Sequence, residues 1–262
     1  MKSTLRISAM LLAAAVAAPA ARLTPTAGQA FEHYVAGVEN RVLRQQRPRI
    51  SEGELKPDAV RIEAVNGGSW EVDGGLLHHW RAAAFVPAAT PAGMLAVLED
   101  YDHLARYYSP DVVSSQLLTG GVTNATLRMR FRKRRIVTVV LDAEFDVQSG
   151  LAGPHRGYSL SRSTHVWQVD QPGTSRERRR AEGADDGFLW RLNSYWTFEE
   201  ARGGLIIECE AVSLTRDVPA GLGWLIAPIV QTLPRDSLEF TLTATKNALA
   251  ANAGRRLDDR AN

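Results

Sequence analysis

Cysteine is almost absent: the 262-residue chain has one, Cys209, so no intrachain disulfide can form. The fold must be held by its core alone, which a chain of this length can supply. An excess of one charge is also missing. The formal net charge is +2, and without Lys2 and Arg6 the chain has 29 basic against 29 acidic residues. That balance gives no support for general nucleic-acid binding. Beyond the N-terminal segment no apolar run is long enough to cross a bilayer, and Leu222–Val230, which comes nearest, is too short. Catalytic signatures are scarce too. There is no G-x-S-x-G, no H-E-x-x-H, no C-x-x-C and no phosphate-binding glycine loop. No cofactor and no metal are expected.

Residues 1–20 have the layout of a secretory signal. Lys2 and Arg6 form a positive start, Ile7–Ala18 an apolar run, and Ala18-Pro19-Ala20 an A-x-A cleavage site. No lipobox-type cysteine follows. The expectation is an exported protein, periplasmic or secreted. Residues 21–54 form an N-terminal helical extension. Phe31, Tyr34, Val35, Val38 and Val42 make one stripe, with Glu32, Glu39, Arg41 and Arg44 facing away, which predicts a helix over 26–46 packed on the body of the domain.

The main domain, residues 55–250, alternates like a sheet. Val60, Ile62 and Ala64 form a short strand, Asn66-Gly67-Gly68 a turn, and Trp70 and Val72 a second short strand. Leu76–Val86 reads as a long strand whose Ala82, Ala83 and Ala84 either leave room for a cavity or admit a close-packed helix. Thr90 caps a helix starting at Pro91, and a second short helix spans 100–108. Further on, Leu127, Met129 and Phe131 alternate with Arg128, Arg130 and Arg132. A hairpin near Arg134 then sets the arginines opposite Asp142, Glu144 and Asp146 on one solvated face. Tyr158–Val169 is another strand, and the mixed-charge loop 171–187 is a lid or a connector. Phe188–Phe198 and Leu205–Thr215 close the set. Trp190, Leu192, Ser194 and Trp196 share a face with Ile207, Cys209, Ala211 and Ser213; Arg191, Asn193, Tyr195, Glu208 and Glu210 share the other.

The chain ends in a long helical stretch, 219–250, with Asp217 as cap and Pro219 at its first position. Pro228 and Pro234 predict a kink or break and two helical arms in tandem. The tail 251–262 is polar and expected to fray. One long helix against consecutive antiparallel strands is an α+β arrangement.

Histidines give no constellation. His78 and His79 are adjacent on a strand and point to opposite faces. Asp100 and His103 are i, i+3 neighbours, a candidate metal pair read here as structural, and His165 is ambiguous. Cys209 reads as inert packing.

LEDYDHLARYYSPDVVSSQLL at 98–118 and SYWTFEEARGGLIIECEAVSLTRDVPAGLGWLIAPIV at 194–230 resemble the START-like (SRPBCC) superfamily, over residues 76–250. That group includes polyketide cyclases, lipid-transfer domains and coenzyme Q-binding proteins, and the likeness is greatest to uncharacterised exported bacterial members. The resemblance implies a helix-grip fold: a curved antiparallel sheet wrapped round the C-terminal helix, with an apolar ligand between them. Facing parity then selects Trp80, Met129, Phe131, Leu141, Trp190, Trp196, Trp224, Ile229 and Leu233 for ligand contact, with Ser194 and Cys209 as polar points. The expected function is binding or transfer of a hydrophobic small molecule (a lipid, quinone or polyketide-like ring), with transient membrane contact for ligand exchange. The alternative is a cyclase or aromatase acting in the same space, for which His79, Arg81 and Arg191 are the first acid–base candidates. The missing catalytic motifs favour binding.

Overall fold

The structure, a computed structural model, describes residues 21–55, 59–121, 123–134, 138–217 and 223–261, without the side chains of 21, 223–231 and 255–261. The signal-like segment, the expected helix start at Pro219, and the side chains of Trp224 and Ile229 lie outside the described residues.

A two-residue strand β1 (Ala21–Arg22) precedes helix α1 (Pro25–Gln45). Thr24 Oγ1 accepts the Ala27 N–H at 3.1 Å, so the helix starts on a side-chain cap with proline at its first position. Its buried residues, Ala27, Phe31, Val35, Val38 and Val42, form the stripe expected from the spacing. Two long strands follow, β2 (Arg61–Val72) and β3 (Gly75–Pro87). The turn expected at Asn66-Gly67-Gly68 is instead a bulge inside β2, where the register shifts between Ala64 and Ser69. All three residues have positive φ, and a Cβ on Gly68 would sit 2.5 Å from the Trp80 ring. Turn-forming residues here serve a close approach within one strand.

Next come α2 (Pro91–Leu98), capped by Thr90, a 3-10 turn at Tyr101–His103, and α3 (Leu104–Tyr108). The strands β4 (Val112–Gly120), β5 (Asn124–Arg134), β6 (Thr138–Leu151) and β7 (Arg156–Asp170) then run up and down. Two short pieces, β8 (Arg178–Arg179) and β9 (Ala184–Asp185), interrupt the long loop. β10 (Arg191–Ala201), β11 (Gly204–Thr215) and helix α4 (Gly223–Ala261) complete the chain.

The main sheet is antiparallel, in the order β2-β3-β11-β10-β7-β6-β5-β4, with β8 on the end of β7; β1 pairs separately with β9. α4 lies on one face. Leu238, Leu242 and Leu249 pack among Ala82, Ala84, Ile207 and Cys209 of β3 and β11, while Phe240 and Ala244 pack with the β5–β6 side of the sheet. Leu238 and Phe240 are about 200° apart around a helix of 3.6 residues per turn. The sheet therefore holds opposite flanks of one rod: this is the α+β helix-grip arrangement. Ala82 and Ala84, 1% and 0% exposed, admit the close-packed helix rather than a hollow.

Two expectations about α4 change. The helix is continuous over 39 residues, roughly 58 Å at 1.5 Å per residue, without a break at Pro228 or Pro234. Each proline removes one helical N–H bond, a local loss in a long helix whose described part is held on the sheet by Leu238, Leu242 and Leu249. The tail also stays helical to Ala261, since the stretch Gly254–Ala261, its glycine and two aspartates apart, is built of arginine, leucine and alanine, all strong helix formers.

α1 covers the opposite, convex face. Phe31, Val35 and Val42 join Leu77, Leu160, Tyr195, Val212 and Leu214 in a second core. The loop 171–187 folds onto that face as well. Arg179 pairs with Asp142 at 2.8 Å and covers the Trp167 ring, and Arg130 pairs with Glu177 at 2.8 Å. It is a strap on the outer side of the sheet. The charge-matched hairpin is as the sequence implies: Arg128 opposes Glu144 and Arg130 opposes Asp142, both in register and hydrogen-bonded.

Candidate ligand-binding face

Strand parity fixes which side chains meet α4. Across the middle of the sheet the register aligns Trp80, Ala211, Ser194, Ser161 and Val147 in one lateral row. The three central positions carry small side chains on adjacent strands, and all three are only partly buried. Beside them Leu192, Ser163, Met129 and Phe131 are also partly exposed, as is Phe240 on the helix. Partly covered apolar side chains thus stand beside an alanine and three serines on the concave face. The two ends of the face differ from its middle. At one, Ser149 Oγ donates to Glu99 at 2.6 Å, and burial pushes the Glu99 carboxyl up. At the other, Lys133 pairs with Asp111 and lies 5.9 Å over the Phe240 ring. Between them the helix-facing residues of β5 (Ala125–Phe131), β6 (Leu141–Val147) and β10 (Leu192–Phe198) are uncharged.

The residues selected from sequence whose side chains are described, all but Trp224 and Ile229, divide into four groups. Met129, Phe131, Ser194 and Trp80 sit on the concave face with some exposure, and Leu233 is partly buried on α4. Leu141 faces the same way and is buried. Trp196 and Cys209, 5% and 1% exposed, are sealed into the core with Leu238 and Leu242. Trp190 corrects the expectation: it packs on the convex side with α1, and its indole N–H donates to Asp185 at 3.2 Å. Trp190 precedes the strand, which begins at Arg191, so alternation did not govern it. The sequence reading missed Ser161, Ser163, Leu192 and Phe240. Alternation of Ser159, Ser161 and Ser163 along β7 was the available signal.

The acid–base candidates are not on this face. His79 and Arg81 point to the convex side, and Arg191 pairs with Glu182 at 3.0 Å. The imidazole on the helix side is His78, whose parity matches Trp80. It is fully buried, with Nδ1 at 2.7 Å from Ser69 Oγ and Nε2 at 3.0 Å from Thr215 Oγ1, and burial pushes it down to about 4. It is therefore neutral at physiological pH, and both nitrogens are occupied. His103 bonds Asp100 at 2.7 Å, and His165 bonds Glu182 at 2.8 Å and stacks on Trp167. Among the described residues no three His, Cys, Asp or Glu side chains converge as a metal site requires.

A separate polar constellation lies beneath α1. His79 Nε2 is 2.9 Å from Glu210 Oε2, and its Nδ1 is 2.8 Å from the Tyr34 hydroxyl. Arg41 and Arg81 donate to the same Glu210 oxygen at 2.7 and 3.2 Å, and Arg81 also pairs with Glu63. Burial opposes ionisation of Glu210, but His79, Arg41 and Arg81 outweigh it and hold that carboxyl well below its usual range. Among the described residues its neighbour Glu208 has only the Arg49 backbone N–H, at 3.2 Å, and a distant Arg81 at 3.9 Å. Burial, with Glu210 nearby, pushes Glu208 up to about 7. Burial also lowers His79, against the pull of Glu210.

No protein-family model matches this chain, and no curated protein matches it. Solved structures do resemble it. One is TTHA0849 from Thermus thermophilus, with 16% identity, 66% of this chain and 97% of that one covered, and a TM-score of 0.46. The Zhui aromatase/cyclase from Streptomyces sp. R1128 has 17% identity, 69% and 96% coverage, and a TM-score of 0.45. A STAR-related lipid transfer protein from Xanthomonas axonopodis has 19% identity, 70% and 98% coverage, and a TM-score of 0.43.

Proposed function

We propose that this chain is an exported protein that binds or transfers a hydrophobic small molecule held between the concave face and α4. One observation carries the reading: the row Ala211, Ser194 and Ser161 is small and partly open, whereas Cys209, Ile207 and Trp196 beside it are sealed by the helix leucines. Around it stand apolar side chains with incomplete cover, as in ordinary ligand sites. The serine hydroxyls supply a few polar points for orientation. His78, with both nitrogens engaged, offers no free acid or base, which favours carriage over a cyclase reaction. Export rests on the signal-like segment 1–20, and ligand exchange would occur by transient contact with a membrane surface.

The test is extraction and native mass spectrometry of the exported protein, followed by titration with a fluorescent fatty acid. The expected result is a co-purified apolar compound and saturable uptake. Ser194→Phe, which fills that row, should lower uptake at least tenfold. Protein that carries nothing and takes up no probe would overturn the reading. An N-terminus at Ala21 in the mature protein would support export.

A further inference from the structure

A second cleft, of about 340 Å³, opens on the far side of the sheet, between α1 and β2–β3. Its size is within the range of ordinary small-molecule sites. His33, Tyr34, Gly37, Val38 and Arg41 line it from α1, Arg49 from the segment that follows, Val65 from β2, and His79 and Arg81 from β3. The wall thus carries three guanidinium groups, two imidazoles and a phenol, and no carboxylate. Glu208 and Glu210 are buried behind it, Glu63 lies at its edge, and together they hold Arg41 and Arg81 in place. Two further features keep the cleft open. Gly37 gives α1 no side chain there, and a Cβ at that position would meet nothing within 4 Å. Arg49 is exposed, and its guanidinium makes no ion pair among the described residues.

We propose that this cleft binds a small oxyanion, a carboxylate or tetrahedral phosphoryl-type group, on Arg41, Arg49 and Arg81. Each guanidinium has five N–H donors in a planar fork suited to such oxygens. Arg41 uses Nη2 on Glu210, and Arg81 uses Nη1 on Glu63 and Nη2 on Glu210; the guanidinium donors of Arg49 are all free among the described residues, its backbone N–H alone being taken by Glu208. The cleft belongs to the convex face and stands independently of any ligand on the concave one.

Binding should depend on pH through Glu208. The groups around it are Arg41 on α1, the Arg49 backbone N–H, Arg81 on β3 and Glu210 on its own strand; Glu63 on β2 and His79 on β3 are paired with Arg81 and Glu210 in turn. Burial lowers His79, away from its charged form, and the cationic partners of Glu210 hold that carboxyl well below its usual range. Among the buried groups behind the arginines Glu208, at about 7, is the one that changes, and the exposed His33 imidazole on the cleft wall can only add positive charge in the same direction as pH falls. Below pH 7 Glu208 is protonated and leaves the arginines less neutralised, so an anion binds more tightly as pH falls from 8 to 6.

The experiment is calorimetric titration of the whole protein with sodium acetate and with sodium sulfate, at constant ionic strength, at pH 6 and pH 8. Saturable one-to-one binding of either anion is expected, several-fold tighter at pH 6. Acetate alone would identify a carboxylate site, sulfate alone a phosphoryl-type site, and both a shared oxyanion site. Arg49→Gln should weaken binding at least fivefold with the urea transition unchanged, since that side chain is exposed. Gly37→Leu should abolish it by filling the cleft. Absence of saturable binding would overturn the proposal, and so would binding that ignores both substitutions or pH.

Discussion

Glu208→Gln should make the protein more stable, and only above acidic pH. Glu208 is 2% exposed in the middle of β11, and its carboxyl is raised from the ordinary 4.5 to about 7. The first cause is burial, the second the adjacent charge of Glu210, which has taken the nearby cations. The sign follows from proton counting. Between pH 4.5 and 7 the folded chain keeps a proton that the unfolded chain has lost, so stability falls as pH rises through that window and stays reduced above it. At ~1.4 kcal/mol per pH unit, the gap amounts to about 3 kcal/mol. Glutamine keeps the shape and leaves one oxygen for the Arg49 N–H, without the charge. The expected gain at pH 8 is therefore roughly 2–3 kcal/mol, shrinking to nothing near pH 4.5. Urea unfolding of both proteins at pH 4.5, 6, 7 and 8 measures the difference. A variant that is less stable at pH 8, or a gap that does not change with pH, would refute the reasoning. It would mean that Arg81 and the Arg49 N–H compensate the buried charge fully.

Leu242→Ala should cost roughly 3–5 kcal/mol in urea unfolding, because Leu242 is fully buried where α4 meets β3 and β11 and the wall around it is too tightly packed to collapse. Gly28→Ala in α1 should stabilise by about 0.5–1 kcal/mol in the same assay, since a Cβ there meets nothing within 4 Å and the backbone is already helical.

Periodicity was enough for the scaffold because burial is one-sided in most of it. The α1 stripe at Phe31, Val35, Val38 and Val42 and the Arg128–Glu144 and Arg130–Asp142 pairs each follow from a spacing that only one structure satisfies. The bulge at Asn66–Gly68 did not. Glycine and asparagine accommodate positive φ equally in a turn between strands and within one, and the choice depended on the Trp80 ring lying across Gly68. The prolines of α4 misled for a related reason: a local penalty predicts a break only when nothing outside the helix holds it together.

Parity along β3 and β11 determines more of the candidate site than the choice of His79 and Arg81 as acid–base groups allows. Once Trp80 is placed toward α4, His78 must go with it and His79 and Arg81 must go to the other face, because side chains alternate without exception along an unbulged pair of strands. The same rule puts Glu208 and Glu210 beside Arg81 and His79, so a buried charge cluster was implied by LIIECEAVSLT opposite LLHHWRAAAFV. What parity could not supply was cover. It states that Ser194 and Cys209 share a face, but Cys209 is sealed by the helix leucines and Ser194 is left partly open. That difference depends on where along the sheet a straight rod touches a curved wall. It arises from contacts between residues about 30 to 50 positions apart, which no local pattern encodes. The two faces therefore differ in how they can be read. The convex cluster is a property of adjacent strands, whereas the incomplete cover of the concave row is a property of the distance between sheet and helix.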